Sequence, residues 1–156
     1  LRQPVAVRRE AQMVKLPGDE PAGPAIPTSA VVARIARLSL EGDADMLDHR
    51  PTLAAKAFSE AADLQDARLA LSVDPPRWWY PARRSVAAAL LAEGDAVGAE
   101  REASTVLRTW RLDPLTLAIR ARAERKLHAL GASEDMLAAR AGWYGDAREL
   151  RAGELS

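Results

Sequence analysis

Apolar residues recur along this chain at the spacing of one helix face. Nowhere do they alternate as they would in a half-buried strand. From Thr28 the pattern predicts six main helices joined by short turns. "TSAVVARIARLSLEGD" places Val31, Val32, Ile35 and Leu38 together, and Gly42 supplies a left-handed stop. "PTLAAKAFSEAADLQDARLAL" starts on Pro51, where a missing N–H costs nothing. It runs Leu53, Ala57, Phe58, Ala61, Leu64 and Leu71 along one side. "ARRSVAAALLAEGD" carries Val86, Leu90 and Leu91 and ends at Gly94. Asp95 then caps "AVGAEREASTVLRTW", with its stripe Ala99, Ala103, Val106, Leu107 and Trp110. Asp113 and Pro114 open a fifth helix, with Leu115, Ile119, Ala123, Leu127 and Leu130 on one face. Gly131 ends it and Ser133 caps the last, which shows Met136, Ala139, Trp143, Ala147 and Leu150.

The first 27 residues read differently. They hold Pro4, Pro17, Pro21, Pro24 and Pro27, and "LPGDEPAGPAIP" cannot sustain a helix. "VAVRREAQMVK" before it forms a short helix or a strand. The division is therefore a Pro-rich linker or extension over 1–27 and a helical domain over 28–156. A linker ahead of the domain, and a first residue that is not Met, predict further protein upstream.

Helix pairs invite a search for a repeat. Each pair ends its first helix in a small-residue run and a Gly, and Gly94 and Gly131 lie 37 residues apart. A tetratricopeptide unit is ~34 residues, two antiparallel helices and a turn. Gly42 in "SLEGD" matches Gly94 in "LAEGD", but 52 residues separate them. Insertions at "ADMLDHR", from Ala44, and at "SVDPPRWWYP" absorb the excess. Three degenerate helix-turn-helix units result.

On these residues the chain resembles a tetratricopeptide-repeat protein. With Gly94 as the turn glycine, Tyr80 stands at the unit's first position. Arg83 takes the place of the usual first aromatic. Val86-Ala87 replaces Leu-Gly, and Leu90 replaces the second aromatic. Ala99, Ala103 and Val106 fall on the Ala, aromatic and later Ala positions, and Pro114 comes three residues late. "DPPRWWYPARRSVAAALLAEGDAVGAE", with "LAAKAFSEAADLQDA" before it, is also similar to a bacterial group of such proteins. Their segment reads roughly E-P-P-x-W-Y-Y-P-x-R-x-S-L-G-A-A-L-L-x-A-G. The likeness spans roughly Leu53 to Gly131, with Asp74, Trp79 and Ala87 as departures. The resemblance implies an all-α fold, a right-handed α-solenoid of about three units with no sheet, and a groove that binds protein or peptide. That group brings no established chemistry.

Within "DPPRWWYP" the prolines hold the connection extended, and Trp79 and Tyr80 become wedges between repeats. Trp78 is expected to stay exposed, so that Trp78→Ala barely changes the melting temperature. Trp110 and Trp143, near helix ends on apolar faces, join the packing between repeats.

Composition narrows function by exclusion. Lys plus Arg equals Asp plus Glu, 22 against 22, which removes the usual electrostatic case for a nucleic-acid partner. There is no Cys, so thiol nucleophiles and thiolate metal sites are excluded. No apolar run is long enough to insert in a membrane. A soluble chain of this kind is compatible with cytoplasm or periplasm alike. P-loop, GxGxxG, GxSxG and H-E-x-x-H patterns are missing, and no cofactor is implied. His49 and His128 have no ligand partner at metal-site spacing. Asp43, Asp45 and Asp48 lack the Gly and terminal Glu of a calcium loop, and Asp48 is expected to help start the next helix.

What remains is arginine. Arg83, Arg84, Arg120, Arg122 and Arg125 concentrate on the first helices of two successive units. On the family register, Arg84, Arg125 and His128 face the groove. They suit a clamp for a peptide carboxylate or acidic side chain. Surface arginines paired with Glu100, Glu102 or Glu124 explain the same residues more plainly, since exposed charge is common. The expectation is a non-enzymatic protein- or peptide-binding scaffold. The alternatives are a structural module that self-associates through Ala-rich faces, and an accessory domain of an enzyme whose catalytic part lies upstream.

Overall fold

In a computed structural model the chain is all-α. The structure describes residues 3–14, 28–69, 78, 80–146 and 150. Among them are α1 (Pro4–Met13), α2 (Thr28–Leu47), α3 (Pro51–Leu69), α4 (Ala82–Glu93), α5 (Ala96–Leu107), α6 (Pro114–Lys126) and α7 (Ala132–Gly142), and no strand. The chain divides into two compact units between Ala82 and Arg83. That division differs from the one at residue 27 read from the prolines.

The first unit begins with a helix inside the stretch assigned to a linker. Pro4 occupies the first turn of α1, and Val7 and Ala11 are buried. The helix packs on α2. Arg8 reaches Asp45 at 2.8 Å and Asp48 at 2.6 Å, and Arg50 binds the same two carboxylates at 2.7 and 2.9 Å. Asp48 therefore pairs with arginines in the turn before α3. Buried apolar contact at Val7 and Ala11 and this partly exposed ion network both tie α1 to its unit.

Gly42 does not stop α2, which continues to Leu47. "ADMLDHR" is accordingly the end of this helix and its turn, not an inserted loop. The left-handed residue is His49, at φ 57°. The glycine serves packing instead. A Cβ built on Gly42 would lie 2.4 Å from Cε1 of Phe58, whose side chain is fully buried. The α3 stripe is rotated from the expected one. Ala54, Ala55, Phe58, Ala61, Ala62 and Leu69 are buried, whereas Leu53 is exposed. Leu71 lies outside the described residues.

Gln65, in the last turns of α3, anchors the start of α4. Its Nε2 donates to the Tyr80 carbonyl at 3.1 Å, and its Oε1 accepts from Ala82 N at 2.7 Å. The first N–H of α4 is thereby satisfied.

In the second unit the expected caps are present. Asp95 accepts from Gly98 N at 2.8 Å, and Asp113 accepts from Thr116 N at 2.9 Å. Gly94 is left-handed, at φ 102°. At the next turn the expectation fails. His128 takes the left-handed position, at φ 56°, while Gly131 precedes α7 in ordinary helical conformation and Ser133 lies within its first turn. The left-handed residues Gly94 and His128 are 34 residues apart, not the 37 of the two glycines. The core gathers Ala87 and Ala88 from α4, Ala103 and Leu107 from α5, Leu117, Ala118 and Ile119 from α6, and Ala139 from α7. Leu150 joins them, although α7 ends eight residues earlier, at Gly142. Trp143 leaves the helix in extended conformation, and its Nε1 donates to the Asp146 carbonyl at 3.1 Å.

Candidate functional site

The arginines of α4 and α6 separate into two groups. Arg83 pairs with Glu102 at 3.1 Å, and Arg84 with Asp113 at 3.0 Å. The second pair is largely buried, with side chains 12% and 14% exposed. Arg84 thus ties α4 to the cap of α6 and is committed within the fold. Arg120 forms a two-pronged pair with the buried Asp135, at 2.5 and 2.8 Å. Arg83 with Glu102 matches the plainer reading of the arginines, whereas Arg84 and Arg120 pair chiefly with Asp113 and Asp135, 29 and 15 residues away.

Arg122 and Arg125 form the other group. They stand one turn apart on α6, on the same face. Arg125 is exposed and Arg122 half-buried. Neither pairs with a carboxylate among the described residues. Burial lowers the proton affinity of Arg122, and Arg125 lowers it further. The Nη2 of Arg122 donates to the carbonyl of Leu150. Among the described residues this half-buried guanidinium faces only a neutral acceptor, which compensates its desolvation incompletely.

His128 lies in the exposed α6–α7 turn rather than on a helix face. Of the three groove candidates, then, Arg125 is exposed on α6, Arg84 is engaged, and His128 belongs to a turn. Arg122 was one of five in the sequence cluster. Its i, i+3 spacing from Arg125 was the signal that could have singled it out. Trp143 packs half-buried against the core, and Trp110 lies half-buried in the α5–α6 turn. Trp79 falls outside the described residues. Tyr80 is half-buried, with its ring 5.5 Å from that of Trp78.

The expected exposure of Trp78 is not seen. Trp78 is half-buried, and its indole N–H is buried without an acceptor. Trp78→Ala is therefore expected to lower stability by about 1 kcal/mol, part of a full burial's worth. In a unit of this size that corresponds to ~4–8 °C in melting temperature. A thermal melt unchanged by the substitution would restore the expectation of an exposed ring.

An acidic cluster lies between α5, α6 and α7. Glu124 sits 4.0 Å from Arg120, and its Oε2 is buried without a partner. Burial pushes its carboxyl above the usual range. Asp135 and Glu100 push the same way, against Arg120. A proton is thus held more tightly in the folded state than in the unfolded one. The resulting stability is present at low pH and is lost as pH rises through the raised folded-state value. Glu124→Gln should be more stable than wild type at neutral pH, with the gap closing at acid pH. Urea unfolding across pH checks this, and a constant gap would show that Glu124 does not titrate abnormally.

Among the described residues no group of His, Asp and Glu is arranged to hold a metal ion, and no helix is long and apolar enough to cross a membrane. No family model, no curated protein and no solved structure matches the chain.

Proposed function

We propose that the chain is a non-enzymatic peptide-binding scaffold built from tetratricopeptide-like helix pairs. One observation carries this reading. The second unit already receives Leu150, which is buried in the core while its carbonyl accepts from Arg122. A helical surface that receives a side chain and a backbone carbonyl together has the two elements of peptide recognition. The 34-residue interval between Gly94 and His128 supports the repeat, since it equals the tetratricopeptide period.

The test is selection of displayed peptides on the full chain. Enrichment of a sequence class by wild type, lost in an Arg122→Gln/Arg125→Ala variant, is the expected result. A library that returns no enrichment over that variant removes the reading. Arg84 is unsuited to this control because it holds Asp113.

A second reading rests on α1, which leaves Val5 and Met13 largely exposed. It makes the module a structural one that packs through this helix. Light scattering separates the two. A concentration-dependent dimer abolished by Val5→Ser/Met13→Ser favours the structural role, and a monomer opposes it.

A further inference from the structure

We infer that α7 is held on α6 by a proton-sensitive latch at Glu124, in which ionisation of this carboxyl loosens the start of α7 while α4, α5 and α6 stay folded.

Glu124 sits at the joint between the two helices. Its side chain, 14% exposed, lies against the main chain at Gly131, the residue just before α7. A Cβ built on Gly131 would stand 2.8 and 2.9 Å from the two carboxyl oxygens. Charged groups face Glu124 from each helix packed around it. Arg120 comes from α6 itself, Asp135 from the first turn of α7 and Glu100 from α5. Two of these three are acids. The third, Arg120, already grips Asp135 through both prongs and stands 4.0 Å from Glu124. Glu134, beside Asp135, and His128, in the turn, are exposed. Arg122, which meets Leu150, stands about 200° round the helix from Glu124.

While Glu124 is neutral, Arg120 balances Asp135 and the joint is compensated. Once charged, Glu124 competes for that guanidinium and repels Asp135. Its buried Oε2 also accepts no hydrogen bond among the described residues. Lifting the start of α7 relieves all three penalties, because Gly131 and Asp135 leave with it and water reaches the carboxylate. The buried residues of α7 are Ala132, Asp135 and Ala139, with Met136 partly buried. Alanine methyls remove little apolar area from water, and elements so held open locally at low cost. The closed state binds the proton more tightly. Closure is therefore favoured at acid pH and weakens as pH rises through the closed-state value of Glu124.

Hydrogen exchange on the full chain tests the latch, read residue by residue by NMR from about pH 4 to about pH 8 and corrected for intrinsic rates. Protection from Met136 to Ala139 in α7 should fall as pH rises, while that from Ala103 to Leu107 in α5 holds. The fall should be tenfold for each unit by which closure raises the Glu124 value. The carbon-13 shift of the Glu124 carboxyl reads that value in the same samples. Glu124→Gln should keep α7 protected at every pH. His128→Asn, which tolerates the left-handed backbone, should leave the fall unchanged. Protection in α7 that does not respond to pH overturns the inference. So does a fall shared equally by α5, which is global unfolding, or one that survives in Glu124→Gln. Should that variant lose its helical signal, the wild-type carboxyl decides. Titration in the ordinary carboxylate range removes the latch, and titration above it, in step with α7 protection, sustains it.

Discussion

Asp113→Ala is expected to lower the stability of the Arg83–Ser156 unit by about 3 kcal/mol. Two contributions add. The Asp113 side chain accepts from Thr116 N at 2.9 Å and from the Thr116 hydroxyl, which satisfies donors left open at the start of α6. Losing such a cap costs about 1 kcal/mol. The same carboxylate meets Arg84 at 3.0 Å where both side chains are largely buried. Removing one member of a buried pair costs more than an exposed pair ever contributes, because the remaining charge stays desolvated. Asp113→Asn separates the contributions. Asparagine keeps the cap acceptor and lacks the charge, so its loss should fall between wild type and alanine. Urea unfolding followed by circular dichroism reads all three. An alanine variant within about 1 kcal/mol of wild type, the cap value alone, would show that the Arg84 pair contributes nothing.

Gly42→Ala should destabilise the first unit by about 2 kcal/mol, in the range of an overpacked core. Helix propensity alone predicts the opposite, a gain of about 1 kcal/mol for replacing a mid-helix glycine. Packing decides the sign. The new methyl would lie 2.4 Å from Cε1 of Phe58 and 2.7 Å from two further ring atoms, closer than carbon atoms approach. The ring is fully buried, and close-packed interiors leave little room for such a ring to swing. Phe58→Leu in the Gly42→Ala background should recover part of the loss relative to the sum of the single changes, as expected for residues in contact. A Gly42→Ala chain with a higher melting temperature than wild type would refute the close approach of α2 and α3.

Both predictions show where the sequence was legible. The caps Asp95 and Asp113, the left-handed Gly94 and the absence of strand pattern are local features, and local chemistry specified them. Each is settled by hydrogen bonds and dihedral preferences within a few residues. "SLEGD" and "LAEGD" look alike, yet Gly94 turns the chain and Gly42 lies inside a helix. Nothing within five residues distinguishes a glycine needed for φ from one needed for space. Phe58, 16 residues on, made that choice.

The candidate site divides the same way. The concentration of arginine on α4 and α6 was visible in the sequence, and so was the plainer expectation that most would be paired. Which ones are paired was not. Asp113 neutralises Arg84 from 29 residues away and Asp135 neutralises Arg120 from 15, whereas Arg122 meets a carbonyl 28 residues on. Leu150 was read as one more position on the last helical stripe. The helix ends at Gly142, and Leu150 enters the core from beyond it. The sequence by itself determined that the chain is helical, and where most of its helices start, because those depend on neighbours along the chain. Tertiary structure decided which glycine packs, which acids the arginines of α4 and α6 meet and which residue beyond α7 enters the core, because burial and charge compensation depend on neighbours in space.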